Sequence, residues 1–88
     1  MRPRNPIHPG LMLKEEFLDP ANISQRAFAG RIGWTPAKLN ELVNGKRGIT
    51  ADTALDLADE LGTTAELWLN LQMQFDLRRA VARRKRAS

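Results

Sequence analysis

The side chains that could take part in chemistry are mostly basic in this sequence, and few of them are nucleophilic. The 88-residue chain has no Cys, a single His at position 8, and Ser only at positions 24 and 88. These residues do not supply the Ser-His-Asp or Cys-His set that nucleophilic catalysis uses. The acidic residues lack the spacing of a metal-binding loop, and there is no glycine-rich phosphate loop. We therefore expect no enzymatic activity, no metal site and no cofactor.

The net charge of +4 is distributed unevenly along the chain. Residues 24–47 contain five basic side chains and one acidic one, Glu41, whereas residues 48–77 contain six acidic side chains and no basic one. Residues 78–88 contain six basic side chains and no acidic one. The first positive segment indicates an anionic partner, and we expect the acidic segment to face away from it and to suit a basic protein.

Composition and length restrict the architecture and the compartment. A chain of 88 residues has room for one small domain, and without Cys it forms neither disulfides nor a thiolate zinc site. Its longest apolar runs are about three residues, whereas a membrane-spanning helix needs about 20. We therefore expect a soluble cytoplasmic protein without membrane contact.

Apolar spacing and helix-ending residues predict an all-α fold of five helices. Ser24, Thr35 and Thr50 are good N-caps, and Gly33 and Gly62 suit the left-handed backbone that often ends a helix. The expected helices cover about 9–18, 24–33, 35–44, 50–62 and 63–77, the last starting at a capping box of Thr63 and Glu66.

These helices define three parts of the chain. We expect an N-terminal arm at residues 1–8, a domain at residues 9–77, and a basic C-terminal tail at residues 78–88, into which the fifth helix can continue. The apolar residues expected to face the core from the second and fourth helices are Ala27, Phe28, Ile32, Ala54, Leu55, Leu57, Ala58 and Leu61.

Residues 25–44 have the arrangement of a helix, a tight turn and a second helix. Ala29 is small where the second helix must cross closely, and Gly33 permits the sharp turn between the helices. Leu39 and Leu42 attach the second helix to the core, which leaves its other face exposed. A helix exposed in this way can enter the major groove of DNA.

The sequence resembles phage-repressor-type (XRE, Cro/C1) helix-turn-helix proteins, and among them the HigA/VapI antitoxin branch. The superfamily resemblance lies in Gln25, Ala29, Gly33, Leu39 and Asn44-Gly45-Lys46. The branch resemblance covers roughly residues 7–79 and lies in His8-Pro9-Gly10, Ile23-Ser24-Gln25-Arg26, residues 40–50 and residues 65–72. The pairing of Asn44-Gly45-Lys46-Arg47 with Trp68-Leu69-Asn70-Leu71-Gln72 is its most specific part.

The resemblance implies a lambda-repressor-like DNA-binding domain whose helix-turn-helix is formed by the second and third helices. It also implies a homodimeric repressor that binds its own palindromic operator and neutralises an mRNA-cleaving toxin of the HigB type. One alternative is a stand-alone XRE-family regulator without a toxin partner. Another is a protein-interaction module that has lost DNA binding, against which Gln25, Lys46 and Arg47 argue.

Matching to the family also implies which side chains meet DNA. The base-facing set is Thr35, Pro36, Ala37, Lys38, Asn40 and Glu41. The phosphate-binding set is Gln25, Arg26, Asn44, Lys46 and Arg47. In chemical terms, Lys38 can donate to guanine and Glu41 can accept from cytosine, or Glu41 can instead repel wrong sites. Pro36 and Ala37 replace the long polar side chains of some relatives, so operator shape is expected to contribute more.

The fifth helix has more apolar surface than one domain core needs. Leu67, Trp68, Leu71 and Phe75 form one stripe, which can cover the core. A second stripe is spaced by four residues and predicts a two-fold dimer interface; it consists of Leu69, Met73, Leu77 and Val81. The alternative is that this stripe packs against an ordered N-terminal arm.

Two aromatic side chains allow more than one interpretation. Trp34 is expected in the core rather than stacked on a nucleic acid base. His8 is expected to pack or cap near the N-terminus rather than to act in catalysis.

Overall fold

The computed structural model describes residues 7–87, and all regular elements within that range are helical. The five-helix all-α architecture is confirmed. The expected N-terminal arm lies outside the described residues except for Ile7 and His8. The helices are α1 (Pro9–Leu13, continued by a π-helical turn at Lys14–Leu18), α2 (Gln25–Ile32), α3 (Pro36–Val43), α4 (Ala51–Leu61) and α5 (Ala65–Ala87).

Three of the predicted N-caps are confirmed by their hydrogen bonds. The hydroxyl of Ser24 accepts from the backbone N–H of Ala27 at 3.1 Å, and that of Thr35 accepts from Lys38 at 3.1 Å. The Thr50 hydroxyl accepts a bond of 3.3 Å from the third residue after it. Each bond satisfies a backbone donor that has no partner within the helix, so the helix starts are determined locally.

The start of α5 differs from the prediction, because the capping box of Thr63 and Glu66 does not form. The hydroxyl of Thr64 accepts from the backbone N–H of Leu67 at 3.1 Å and caps the helix instead. The Thr63 hydroxyl accepts from the indole N–H of Trp68 at 2.8 Å. Trp68 is fully buried, so its indole donor needs a partner inside the protein, and Thr63 supplies it.

The first helix ends in a π-helical turn that the sequence pattern did not indicate. The backbone N–H of Asp19 donates to the carbonyl of Lys14 at 2.8 Å, a bond that spans five residues. Leu13 and Leu18 are also five residues apart, and both are buried. The wider turn therefore directs both leucines into the core.

The core lies where the five helices meet, and its largest fully buried side chains are Trp68, Phe28, Leu13, Leu18, Leu39, Leu42 and Leu57. Three residues that were expected to face inward are exposed, namely Ala27, Leu55 and Leu67. Adjacent residues on a helix point about 100° apart, so burial of the neighbours Phe28, Ala54 and Trp68 turns these three outward.

The start of α1 lies directly on the end of α3. A Cβ atom added at Gly10 would overlap the backbone carbonyl of Leu42 and would stand 3.0 Å from the Cα atom of Val43. The two backbones therefore meet without a side chain between them. This contact sets the position of α3 relative to the rest of the domain.

Candidate nucleic-acid interface

The turn between α2 and α3 has the geometry expected of a helix-turn-helix. Gly33 adopts φ +80° and ends α2, and the backbone N–H groups of Gly33 and Trp34 both donate to the carbonyl of Ala29 at 3.0 Å. Ala29 itself is buried, in agreement with its predicted role beneath the crossing helix. Only a residue that tolerates positive φ makes this turn without strain, which explains the glycine.

Helix α3 has one buried face and one accessible face. Its apolar side chains Leu39, Leu42 and Val43 are buried in the core. Of the predicted base-facing residues, Thr35, Pro36, Ala37 and Asn40 are exposed, whereas Lys38 and Glu41 are half-buried. The accessible face is therefore small. Its polar side chains lie at its edges, and few long polar side chains lie at its centre.

A short chain of side-chain amides links α2 to α3 and to the residue that follows α3. The Asn40 amide nitrogen donates to the side-chain oxygen of Gln25 at 3.5 Å, and the Asn44 amide nitrogen donates to the side-chain oxygen of Asn40 at 3.1 Å. The structure thus brings together two predicted phosphate-binding residues and one predicted base-facing residue. With its oxygen turned toward Asn40, the Gln25 amide keeps its two N–H donors for another acceptor.

Residues 44–50, which we call the clamp loop, join α3 to α4 and include the predicted phosphate-binding cations. Its first half closes on α3, because the backbone N–H of Lys46 donates to the carbonyl of Glu41 at 2.8 Å and Gly45 adopts φ +73°. The side chains of Lys46 and Arg47 are exposed, as is that of Arg26 on α2. These three cations can reach an anionic ligand without rearrangement of the core.

Arg47 is held by an ion pair in this structure. Its Nε and Nη2 atoms both donate to Oε1 of Glu41, at 3.0 and 2.7 Å, and both side chains are nearly half exposed. One carboxylate oxygen therefore restrains the cation that was predicted to bind phosphate. Because the pair is exposed, it contributes little to stability and can exchange for a phosphate.

Trp34 lies in the core, which confirms the packing interpretation. It is 8 % exposed, and its indole N–H donates to Oδ2 of Asp56 on α4 at 2.9 Å. The ammonium group of Lys38 lies 4.5 Å from the centre of the Trp34 ring, a cation–π distance. Sequence reasoning missed both contacts. Nothing in the local spacing pairs Trp34 with Asp56, and Lys38, four residues after Trp34, was considered only as a DNA contact.

His8 is a capping residue, in agreement with the sequence prediction. Its Nδ1 accepts from the backbone N–H of Gly10 at 2.9 Å, and its ring meets that of Phe75 edge-on at 4.8 Å. Burial lowers the pKa of His8 below its ordinary value, against the opposing influence of Asp76 and of a bond with the Arg47 backbone. The neutral ring is the form that can accept from Gly10.

The second half of the clamp loop is held from α5. The side-chain oxygen of Gln72 accepts from the backbone N–H of Ile49 at 2.7 Å, and its amide nitrogen donates to Oδ1 of Asp76 at 3.0 Å. In the sequence, Gln72 stood out only as the last residue of the family-like segment 68–72. The pairing of that segment with residues 44–47 was the one sequence signal that linked Gln72 to the clamp loop.

The outer face of α5 has the predicted apolar stripe. Leu69, Met73, Leu77 and Val81 are between 37 and 60 % exposed. The helix continues without a break from residue 77 into the basic segment, as far as Ala87. In the described range 7–87, no group of His or acidic residues is placed to hold a metal ion, and no helix is apolar and long enough to cross a membrane.

The arrangement of α2, the turn and α3 is found in proteins of known type. A family model described as helix-turn-helix matches residues 13–68. The chain belongs to this family. Among its helix-turn-helix relatives, virulence-associated protein I of Dichelobacter nodosus is 47% identical over 84% of this chain and 68% of the relative. Antitoxin HigA-1 of Vibrio cholerae is 43% identical over 84% of this chain and 70% of the relative.

Solved structures of helix-turn-helix proteins extend the comparison. Pseudomonas aeruginosa PA4674 in complex with its operator DNA is 40% identical and has a TM-score of 0.85. The match covers 93% of this chain and 85% of that protein. Pseudomonas aeruginosa antitoxin HigA with higBA promoter is 38% identical and has a TM-score of 0.87. The match covers 93% of this chain and 89% of that protein. An uncharacterized transcriptional regulator of Escherichia coli, YddM, is 34% identical over 91% of this chain and 84% of the relative. The resemblance to HigA-type antitoxins is therefore confirmed.

Proposed function

We propose that this chain is a sequence-specific DNA-binding repressor and the antitoxin of a HigBA-type system. The observation that supports this most directly is the accessible face of α3, which lies next to the donors of Gln25 on one side and the clamp loop on the other. Base-facing and phosphate-binding side chains thus occupy one continuous surface, as direct readout with backbone positioning requires. Two similar proteins are named in complexes with operator or promoter DNA, which supports DNA binding by this chain.

In this proposal the residues have different tasks. Gln25, Arg26, Asn44, Lys46 and Arg47 bind phosphates and set the position of the domain on the duplex. The residues that face the bases are Thr35, Pro36, Ala37, Lys38, Asn40 and Glu41.

Two of the base-facing residues must change partners when DNA binds. Lys38 leaves the Trp34 ring to reach a base, and Glu41 gives up Arg47 to a phosphate. Pro36 and Ala37 offer the DNA only apolar contacts, so operator shape contributes to selectivity.

The apolar stripe of α5 makes this chain a homodimer in our proposal. A stripe of four exposed apolar side chains on one helix suits a two-fold contact, in which each copy covers the stripe of the other. Such a dimer presents two α3 helices to one palindromic operator, about one turn of DNA apart.

The dimer is tested with a matched pair of substitutions. Leu77→Glu should give a monomer in light scattering at micromolar concentration, because it places a charge in the contact. Leu55→Glu is the control, since Leu55 on α4 is similarly exposed, at 54% against 60%, but lies outside the stripe. A wild-type chain that is monomeric at that concentration would refute the dimer.

The toxin partner is proposed from the naming of relatives as HigA antitoxins and from the charge of α4. Residues 48–77 contain no basic side chain, and Asp52 and Asp59 are exposed on α4. Asp56 and Glu60 are already engaged, with Trp34 and with Arg31. The remaining acidic surface suits a basic RNA-cleaving protein.

A single experiment tests repressor and antitoxin together. A gel shift on the gene's own promoter is performed with the purified chain, alone and after co-expression with the product of the adjacent reading frame. Binding of the chain to this promoter, and co-purification of the neighbour, are expected. Absence of binding would refute the repressor, and absence of co-purification would favour the alternative of a stand-alone regulator, a type to which YddM belongs by name.

A further inference from the structure

We infer that Gln72 is a positioning residue for DNA binding, which holds the clamp loop in its phosphate-binding shape from α5. Gln72 itself lies outside the proposed DNA-facing surface, and it acts through the backbone of the loop. The expected effect on DNA affinity rests on the proposed function. The attachment of the loop to α5 rests on the contact between Gln72 and Ile49.

The contact between Gln72 and the loop is short and oriented. The bond from the Ile49 backbone N–H to the Gln72 oxygen is 2.7 Å long and partly buried. The amide nitrogen of Gln72 donates to Asp76 one helical turn later, which turns the oxygen toward the loop. A Cβ atom at Gly48 would lie 3.2 Å from that oxygen, so the glycine permits the close approach of the Gln72 side chain.

The two halves of the clamp loop depend on different parts of the molecule. The first half is tied to α3 by backbone bonds, from Gly45 to Leu42 at 3.1 Å and from Lys46 to Glu41 at 2.8 Å. The second half is tied to α5 by the bond between Ile49 and Gln72. Lys46 makes the first of these attachments itself, and Arg47 lies between the two, where its backbone also bonds to the His8 ring. The placement of Arg47 therefore depends on all three contacts.

The bond between Ile49 and Gln72 matters because the segment that it holds is flanked by glycines. Gly45 and Gly48 flank Lys46 and Arg47, and glycine loses more backbone entropy on ordering than any other residue. Loss of the bond to the Ile49 amide therefore gives the backbone around Gly48 more conformations, while the Ile49 side chain stays buried in the core. Ordering this backbone again on a phosphate then costs free energy at the moment of DNA binding, which weakens the complex.

The test compares Gln72→Leu with Gln74→Leu, the same substitution on an exposed position of α5. Amide hydrogen exchange in the free protein should become about tenfold faster or more at Ile49 in Gln72→Leu, and stay unchanged in Gln74→Leu. Gln72→Glu combined with Asp76→Asn exchanges the amide and the carboxylate, so an acceptor oxygen still faces Ile49 and the orienting hydrogen bond is kept. This double variant should restore protection of the amide. Circular dichroism and light scattering verify that all three variants keep the fold and oligomeric state of the wild type.

The functional measurement is the affinity for promoter DNA at several salt concentrations. Gln72→Leu should bind about 3- to 10-fold more weakly, to all sequences alike, which is the range expected from loss of one hydrogen bond. Its salt slope should stay at the wild-type value, since the same phosphate contacts are re-formed in the complex and only the cost of ordering the loop is added. Gln74→Leu should match the wild type in both respects.

The outcomes separate this inference from the proposed function. A wild-type chain that binds no promoter DNA refutes the proposed function. A wild-type chain that binds, with a Gln72→Leu variant of equal affinity, refutes the positioning role alone. Unchanged exchange at Ile49 in Gln72→Leu refutes the mechanism, because the loop is then held without this bond.

Discussion

Replacement of Gly10 by Ala tests how tightly α1 packs on the end of α3. The added methyl group would overlap the carbonyl of Leu42 and approach the Cα atom of Val43 to 3.0 Å, and neither backbone atom can rotate away. Ordinary carbon–oxygen contacts are about 3.3–3.6 Å, so the two helices must separate. Overpacking typically costs about 1–3 kcal/mol, and a clash between two backbones belongs at or above the upper end.

The matched control is Gly30→Ala, which makes the same chemical change in the interior of α2. No atom lies within 4 Å of a Cβ atom at Gly30. This substitution should therefore stabilise the protein by about 0.5–1 kcal/mol, the ordinary difference between Ala and Gly in a helix. Opposite signs are thus expected for one substitution at two positions.

Thermal unfolding followed by circular dichroism measures both effects. In a domain of this size, 1 kcal/mol shifts the Tm by about 4–8 °C. Gly10→Ala should lower the Tm by about 12 °C or more, and Gly30→Ala should raise it by about 2–8 °C. A Tm of Gly10→Ala within about 2 °C of the wild type would show that the two helices do not meet as described.

Three further predictions concern the interface and its surroundings. Lys46→Ala with Arg47→Ala should weaken binding to all DNA sequences and flatten the salt slope, by about 1 for each lost phosphate contact; an unchanged slope in filter binding would remove both from the interface. Lys38→Ala should instead change the ranking of operator variants by about 1–3 kcal/mol, and equal losses on every variant would make it a backbone contact. The lowered pKa of His8 means that the unfolded chain takes up a proton near pH 6.5 before the folded one does, so stability is lost as pH falls through that value. His8→Asn keeps a capping oxygen and cannot titrate there, so its Tm should fall less than that of the wild type between about pH 7.5 and about pH 5.5; parallel Tm curves would contradict this.

Several charged groups surround His8, and the comparison of pH profiles is valid only if these groups are the same in both proteins. Asp76 and Arg79 face it from α5, and the backbone of Arg47 bonds to it from the clamp loop. These groups are present in both the wild type and His8→Asn. The difference between the two pH profiles therefore reports on the imidazole ring, and not on carboxylates elsewhere in the chain.

The sequence alone was sufficient for the local features of this protein. Ser24, Thr35 and Thr50 each cap a helix through a bond to a residue three positions later, so their effect depends only on nearby sequence. The left-handed turn at Gly33 and the small side chain of Ala29 likewise follow from local sterics. For these reasons the helix-turn-helix was predictable without a structure.

Tertiary structure decided which face of each helix is buried and which distant groups meet. Leu55 is exposed although Ala54 and Leu57 beside it are buried, because the orientation of α4 depends on its packing against α2 and α5. Thr63 bonds to Trp68 and leaves the capping position to Thr64, because a buried indole requires a hydrogen-bond acceptor. Periodicity in one helix cannot specify either result.

The contacts that hold the proposed interface depend on the same long-range packing. Trp34 bonds to Asp56 across 22 positions, and Ile49 bonds to Gln72 across 23. Such pairs form only when helices distant in sequence are brought together, and their energy therefore does not appear in any local pattern. The sequence predicted which side chains face DNA, whereas the packing of α4 and α5 decided how firmly the residues around them are held.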